Sequence, residues 1–132
     1  MERANGDKQM RDVWFLPAIA PWEKSCGKHP TQKPLALLTR IILASTHKNA
    51  WILDPFSGSS TTGIAANLVG RRFLGIEKER DFVRMSQLRR EELEDINKYD
   101  KYRSKIQDIK KTEEYNPIPQ ACEDTSAFDI PF

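Results

Sequence analysis

The chain has 132 residues, 39% of them hydrophobic and 30% charged, with a formal net charge of +2. That is enough for one modest folded domain with a well-solvated surface. The near-neutral balance excludes a chain that is basic throughout, yet leaves room for a local basic patch facing a nucleic acid. Cys26 and Cys122 are far apart and lack metal-ligand spacing, so both read as reduced thiols of a cytoplasmic protein. The charged start, Met1 to Arg11, is the wrong chemistry for a secretory leader, and no apolar run is long enough to span a membrane. Neither a membrane nor a metal partner is expected.

In chain order, residues 1–11 are polar and expected to be flexible. Asp12 to Ala20 reads as a short strand, with Pro17 pushing it towards an edge or an end. Pro21 to Lys33 is a loop. Pro34 opens a helix at a position that tolerates proline. Leu35, Leu38, Ile41 and Ile42 share one face of it, but Leu37 and Leu43 make it apolar nearly all round, as in a helix buried on most sides or packed against a partner.

Ala50 to Leu53 reads as a short buried strand. Ser59, Ser60 or Thr61 can cap the helix that follows, which carries Ile64, Ala65 and Leu68 and stops at Gly70. Phe73 to Ile76 is a further strand, and a long helix starts near Glu79. From Arg89 to Lys111 the charges mix densely, which reads as a solvated helix. Tyr115 to Phe132 holds three prolines and is acidic, so an extended or disordered tail is expected. The domain proper is expected over 12–102, with a charged, proline-containing extension over 103–132. Strands alternating with helices predict an α/β fold with a parallel sheet and right-handed crossovers.

Three segments carry chemistry. The first is Asp-Pro-Phe-Ser-Gly-Ser-Ser-Thr-Thr, Asp54 to Thr62, at the carboxyl end of a strand. There a carboxylate, backbone N–H groups and a helix N-terminus converge, which suits a ligand bearing charged groups. Gly58 lets a ligand approach the backbone. A merely capped strand-to-helix turn is the competing reading of the loop alone. The second is Glu77, 23 residues after Asp54 and at the end of the next strand. An acid there accepts hydrogen bonds from ribose hydroxyls in nucleotide-binding half-domains; the alternative is a solvated acid in a charged turn. Loop and acid together favour an adenosine-containing ligand. The third is His29-Pro30-Thr31-Gln32-Lys33-Pro34, stiffened by two prolines. Thr31, Gln32 and Lys33 offer donors just ahead of a helix N-terminus, a good environment for a carboxylate. His29 alone reads as a structural hydrogen-bonder.

His-Pro-Thr-Gln-Lys-Pro, then Asp-Pro-Phe-Ser-Gly-Ser-Ser-Thr-Thr-Gly-Ile-Ala-Ala, then Phe-Leu-Gly-Ile-Glu resembles the S-adenosylmethionine-binding half of the DNA amino-methyltransferases. These methylate adenine N6 or cytosine N4. The motif order resembles the beta subgroup, and the likeness spans about residues 12–90. It implies a Rossmann-like methyltransferase fold with a partial parallel sheet and flanking helices. It also implies that Asp54, Phe56, Ser57, Gly58, Ser59, Ser60 and Thr61 hold the methionine part of S-adenosyl-L-methionine. Thr31, Gln32 and Lys33 would contact its carboxylate, and Glu77 would take the ribose hydroxyls. The family often has a second glycine where this chain has Ser60.

The family's catalytic motif, Asp/Asn/Ser-Pro-Pro-aromatic, is absent: the chain contains no Pro-Pro pair. In that motif the polar side chain and a proline carbonyl bind the amino group of a flipped base. No catalytic residue is therefore expected, and the isolated chain is expected to be inactive. Only 28 residues precede His29, so the chain looks like a carboxyl-terminal half. The expected partners are double-stranded DNA, as substrate of the complete enzyme, and a complementary amino-terminal half or a second copy. Without that half, Trp51 to Leu53 would present an unpaired edge. The alternative is a non-catalytic binding module or remnant. A nicotinamide dehydrogenase half-domain is disfavoured, since the loop lacks Gly-x-Gly-x-x-Gly.

Overall fold

The computed structural model describes residues 12–16, 18–27 and 30–110. A 3-10 turn (Pro21–Lys24) leads to α1 (Leu35–Ser45), β1 (Trp51–Asp54), α2 (Thr61–Leu68), β2 (Arg72–Gly75), α3 (Arg80–Glu91) and α4 (Ile96–Lys105). Strands β1 and β2 pair in parallel with Trp51 opposite Arg72 and Asp54 opposite Gly75, and α2 makes the crossover. The α/β alternation expected from the sequence is therefore present as one β–α–β unit with helices before and after it.

The core lies on one face of this small sheet. Leu35, Ile42 and Leu43 of α1 meet Ile64, Ala65, Ala66 and Leu68 of α2, with Ile52 and Phe73 packed beneath from the strands. α2 can lie close because its contact residues are small. A Cβ on Gly63 would stand 2.6 Å from the Phe73 ring. Both helix ends beside this core are tied by one cation. The buried Arg71 donates to Thr46 O (2.9 Å), Thr46 Oγ1 (3.2 Å) and Val69 O. A positive charge there also complements the carbonyl ends of α1 and α2.

Among the described residues, nothing covers the opposite face of the sheet. Trp51 (62% exposed), Leu53 (61%), Leu74 (56%) and Ile76 (55%) alternate with the half-buried Ile52 and Phe73. Parallel sheets are ordinarily covered on both faces. Among the described residues, β1 pairs only with β2, and the strand expected to be buried leaves Trp51 and Leu53 exposed. The all-round apolarity of α1, by contrast, is mostly used inside the chain: Leu35, Ile42 and Leu43 are buried, and Ile41 is the large apolar residue of α1 left exposed.

Two expectations are corrected. The described residues between Asp12 and Ala20 form no strand. A strand needs a neighbour for its N–H and C=O groups, and neither β1 nor β2 pairs with this segment. Trp14 instead lies under the Arg40 guanidinium, 5.2 Å from its ring centre. The second correction is the long solvated helix. It breaks after Glu91, where Leu93 and Glu94 make tighter bonds to Arg90 O and Glu91 O. Asp95 then caps α4 by accepting from Asn97 N at 2.9 Å. The turn swings α4 back onto the core. Tyr102, Ile106 and Ile109 are buried there, and Tyr102 meets Trp22 edge to face at 5.2 Å. The buried Asp108 pairs with Arg40 through two 3.0 Å bonds. His29, the first eleven residues and the tail with Cys122 lie outside the described residues.

Ile106→Ala and Ile109→Ala are each expected to cost about 2–5 kcal/mol in urea unfolding. A solvated appendage would give changes within about 0.5 kcal/mol.

Candidate functional site

The site grows out of the sheet register. Beyond the strand ends, Ile76 N donates to Asp54 O (2.9 Å) and Ser57 N donates to Ile76 O (3.0 Å). Gly58 N then donates to Glu77 Oε2 at 2.8 Å. The loop after β1 and the acid after β2 are thus zipped together by three successive bonds. The other Glu77 oxygen accepts from Lys78 N (2.8 Å) and Glu79 N (2.9 Å), just ahead of α3. Glu77 is therefore a structured acid, not a solvated one.

Asp54 is oriented by its own loop. Its Oδ1 accepts from Phe56 N (3.1 Å) and its Oδ2 from Thr62 Oγ1 (2.6 Å). Phe56 is 89% exposed at the loop tip. Gly58 and Ser60 both hold left-handed backbone, with φ of 51° and 58°. Ser60 is the residue before α2, but its side chain makes no capping bond, nor is one made by Ser59 or Thr61 as the sequence suggested. The Ser59 hydroxyl and the Thr61 hydroxyl turn instead to Arg89 of α3, at 3.2 and 3.0 Å from its Nη1.

Thr31, Gln32 and Lys33 are organised around a different acid. Glu23 is buried, with Oε2 accepting from Leu35 N (2.8 Å) at the start of α1 and Oε1 from Ala20 N (3.3 Å). The buried Gln32 donates through Nε2 to Glu23 O at 2.9 Å, and Lys33 Nζ reaches Thr31 O at 3.2 Å. The helix end that sequence reasoning offers to a ligand carboxylate already touches a protein carboxylate. The structure thus joins Asp54, the 56–61 loop and Glu77 in one unit, with 31–33 set on the Glu23 turn.

A cleft of about 550 Å³ opens beside the loop, lined by Ser57, Ser60 and Glu77 at one end and by Phe73, Val83 and Arg90 further along. Because Val83 and Arg90 belong to α3, the cleft lies on the α3 side of the loop, a different surface from the one that carries Asp54 and Phe56. Asp54 and Phe56 lie outside its lining. Two carboxylates and a glycine-bearing loop can receive ammonium and hydroxyl groups. Among the described residues no group of three or more His, Cys, Asp or Glu side chains could hold a metal ion.

α3 is anchored from behind by Glu92. This carboxylate accepts from Ser25 Oγ and Tyr102 Oη, both at 3.0 Å, and pairs with Lys98 at 3.6 Å. Burial alone would raise its pKa, but the bonds from Ser25, Tyr102 and Cys26 and the Lys98 charge outweigh it and hold it below the usual carboxylate range. The Cys26 thiol is pushed up, by burial first and then by its hydrogen bond to Glu92. Sequence reasoning does not single out Glu23, Thr62, Arg89 or Glu92. Only Thr62 had a signal, since it closes the motif that begins at Asp54.

A family model described as DNA methylase matches residues 1–88. The chain is 55% identical over 106 residues to the type II methyltransferase M2.MboI of Moraxella bovis, covering 80% of this chain and 38% of that protein. It is 50% identical over 97 residues to the type II methyltransferase M2.DpnII of Streptococcus pneumoniae, covering 74% of this chain and 36% of that one. Among solved structures, the M1.HpyAVI–SAM complex aligns with a TM-score of 0.55 at 36% identity, over 64% of this chain and 40% of that one. The chain thus spans little more than a third of the length of the curated relatives it matches.

Two measurements test the site's construction. Ser60→Gly removes a left-handed side chain and is expected to leave stability unchanged or raise it by up to about 1 kcal/mol in urea unfolding; a loss of that size would show that the hydroxyl carries the turn. The second concerns pH. The folded Glu92 carboxyl titrates below its ordinary 4.5. Its contribution is complete above that value and is lost as pH falls through the depressed one. Glu92→Gln should lower the thermal midpoint at neutral pH and flatten its fall between roughly pH 5 and pH 3. An acid profile as steep as the wild type's contradicts this assignment.

Proposed function

The chain belongs to the DNA methylase family, and from that premise we propose that it is the S-adenosylmethionine-binding portion of a DNA amino-methyltransferase. The observation that carries this reading is the Gly58–Glu77 bond of 2.8 Å, which holds the loop after β1 against the acid after β2. That places ammonium and hydroxyl acceptors on adjacent strand ends, where an open α/β sheet receives its ligand. S-adenosylmethionine supplies an electrophilic methyl group when bound. Asp54 with the loop through Thr61 would bind its methionine part, Phe56 would lie against the cofactor from the exposed loop tip, outside the cleft beside the loop, and Glu77 would take the ribose hydroxyls. Thr31, Gln32 and Lys33 would meet the carboxylate. The donor set fits at the loop, because Gly58 carries no side chain and each Asp54 oxygen accepts a single bond; at residues 31–33 the buried Gln32 amide and the start of α1 are already engaged with Glu23.

The base would be held elsewhere. No Pro-Pro pair exists to grip an amino group, so the isolated chain is proposed to be inactive on DNA. The acceptor of the methyl group would be adenine N6 or cytosine N4 of double-stranded DNA, bound by a complementary segment matching the rest of the relatives' length. The bare apolar sheet face and the unpaired β1 edge support such a partner, or a second copy of the chain. The same reading places the protein in the cytoplasm. Among the described residues no helix is long and apolar enough to cross a membrane. A second reading, a binding module without catalysis, rests on the missing catalytic motif.

Calorimetric titration with S-adenosylmethionine separates the two. The cofactor portion is expected to bind it, with Asp54→Ala and Glu77→Gln each weakening binding by about tenfold or more. No heat from the folded wild-type chain would favour the module reading. Mixed with the missing segment of a relative, the wild-type chain should regain methyl transfer to DNA and Asp54→Ala should not; transfer by the chain alone would overturn the inactivity.

A further inference from the structure

We propose that Arg89 is a positioning residue for the cofactor loop, gripping it from behind so that its ligand-facing side is preset; this rests on the cofactor reading of that loop. Arg89 lies on α3, thirty residues after Ser59, and is 4% exposed. Its Nη1 stands 2.7 Å from Ser59 O, 3.2 Å from Ser59 Oγ and 3.0 Å from Thr61 Oγ1. One turn earlier, Ser86 Oγ lies 3.0 Å from Gly58 O and 2.8 Å from Phe82 O. Gly58 is thereby held at its N–H by Glu77, its carbonyl shares the single Ser86 hydroxyl proton with Phe82 O, and the next carbonyl is held by Arg89.

Peptide planarity converts this grip into an orientation. The C=O and N–H of one trans peptide point opposite ways. With Gly58 O drawn to Ser86, the Ser59 N–H is turned to the side away from α3. A loop with two left-handed residues, Gly58 and Ser60, would otherwise have other arrangements open to it. The two N–H groups of Nη1 are shared among that carbonyl and the two hydroxyls, so one nitrogen ties Ser59 to Thr61.

The cost of this arrangement argues against a merely stabilising role. Among the described residues, Arg89 Nη2 is buried with no hydrogen-bond partner. A buried cation left partly unpaired is a poor way to gain stability, and an apolar residue of like size often serves a core as well. The charged or titratable groups around it are Glu23, Glu92, Tyr102 and Cys26, on the 3-10 turn, the segment after it, the end of α3 and α4. None of them belongs to the loop it grips.

The test is hydrogen exchange of the full chain, read segment by segment, without ligand. Arg89→Met keeps the length of the apolar stem and removes the Nη1 donors. The double variant Ser59→Ala/Thr61→Val removes only hydroxyl acceptors. In both, amides of residues 58–61 should exchange about tenfold faster or more, with those of α1 and β1 unchanged. Where the wild-type chain binds S-adenosylmethionine, both variants should also bind it about tenfold more weakly with an unaltered fold. Exchange at 58–61 that matches the wild type would overturn the proposal. So would acceleration spread evenly through α1 and β1, which marks general destabilisation. Failure of the wild type to bind the cofactor would count against the function proposed above and leave the exchange result to decide the role of Arg89.

Discussion

The parallel register of β1 and β2 is the constraint on which the rest depends. Each strand has only four residues, and a two-stranded parallel pair is weak on its own. The pairing survives because it does not stop at the strand ends. Ile76 N on Asp54 O, Ser57 N on Ile76 O and Gly58 N on Glu77 extend the ladder into the loop. The candidate site is therefore a continuation of the sheet. A slip of one residue would carry Glu77 away from Gly58 and turn Phe73 out of the core, since successive side chains point to opposite faces. Packing of α2 on Phe73 and placement of Glu77 thus enforce the same register.

How much of this could be read from the sequence depended on whether the signal was local. β1, its loop, α2 and β2 were legible, because each is written in a short run: an apolar strand, an acid, a glycine turn, then small residues at helical spacing. The parallel order followed from alternation. The strand expected over Asp12 to Ala20 failed, because apolar residues describe a strand only when a neighbour exists to pair with. α4 was hidden by its charges, although Tyr99, Tyr102, Ile106 and Ile109 sit at helical spacing, which is a readable stripe. Glu23 and Arg89 were not legible at all. Their roles come from elements brought together by folding, and no pattern around them separates a buried braced charge from a solvated one.

Among the described residues the sheet is covered on one side only. α1, α2 and α4 close the core over Ile52 and Phe73, and even the apolar α1 is largely covered from within the chain. The opposite sheet face shows Trp51, Leu53, Leu74 and Ile76 to solvent. The asymmetry matches the third or so of its relatives' length that the chain spans. The side that is finished carries the loop, Glu77 and the helices that brace them.

That division has an electrostatic consequence. The loop lies between two carboxylates, Asp54 and Glu77, and a buried guanidinium behind it. Arg89 draws the Ser59 carbonyl inward and Ser86 the Gly58 carbonyl, which turns the Ser59 N–H outward. The acids are fixed by short bonds from Thr62 and from the backbone of Phe56, Gly58, Lys78 and Glu79. The loop then offers both backbone donors and carboxylate acceptors over a short distance. A surface of one sign would select a simple ion. A mixed one suits a ligand that carries an ammonium, a carboxylate and hydroxyls together, and its specificity comes from spacing, which only a loop held from behind can keep.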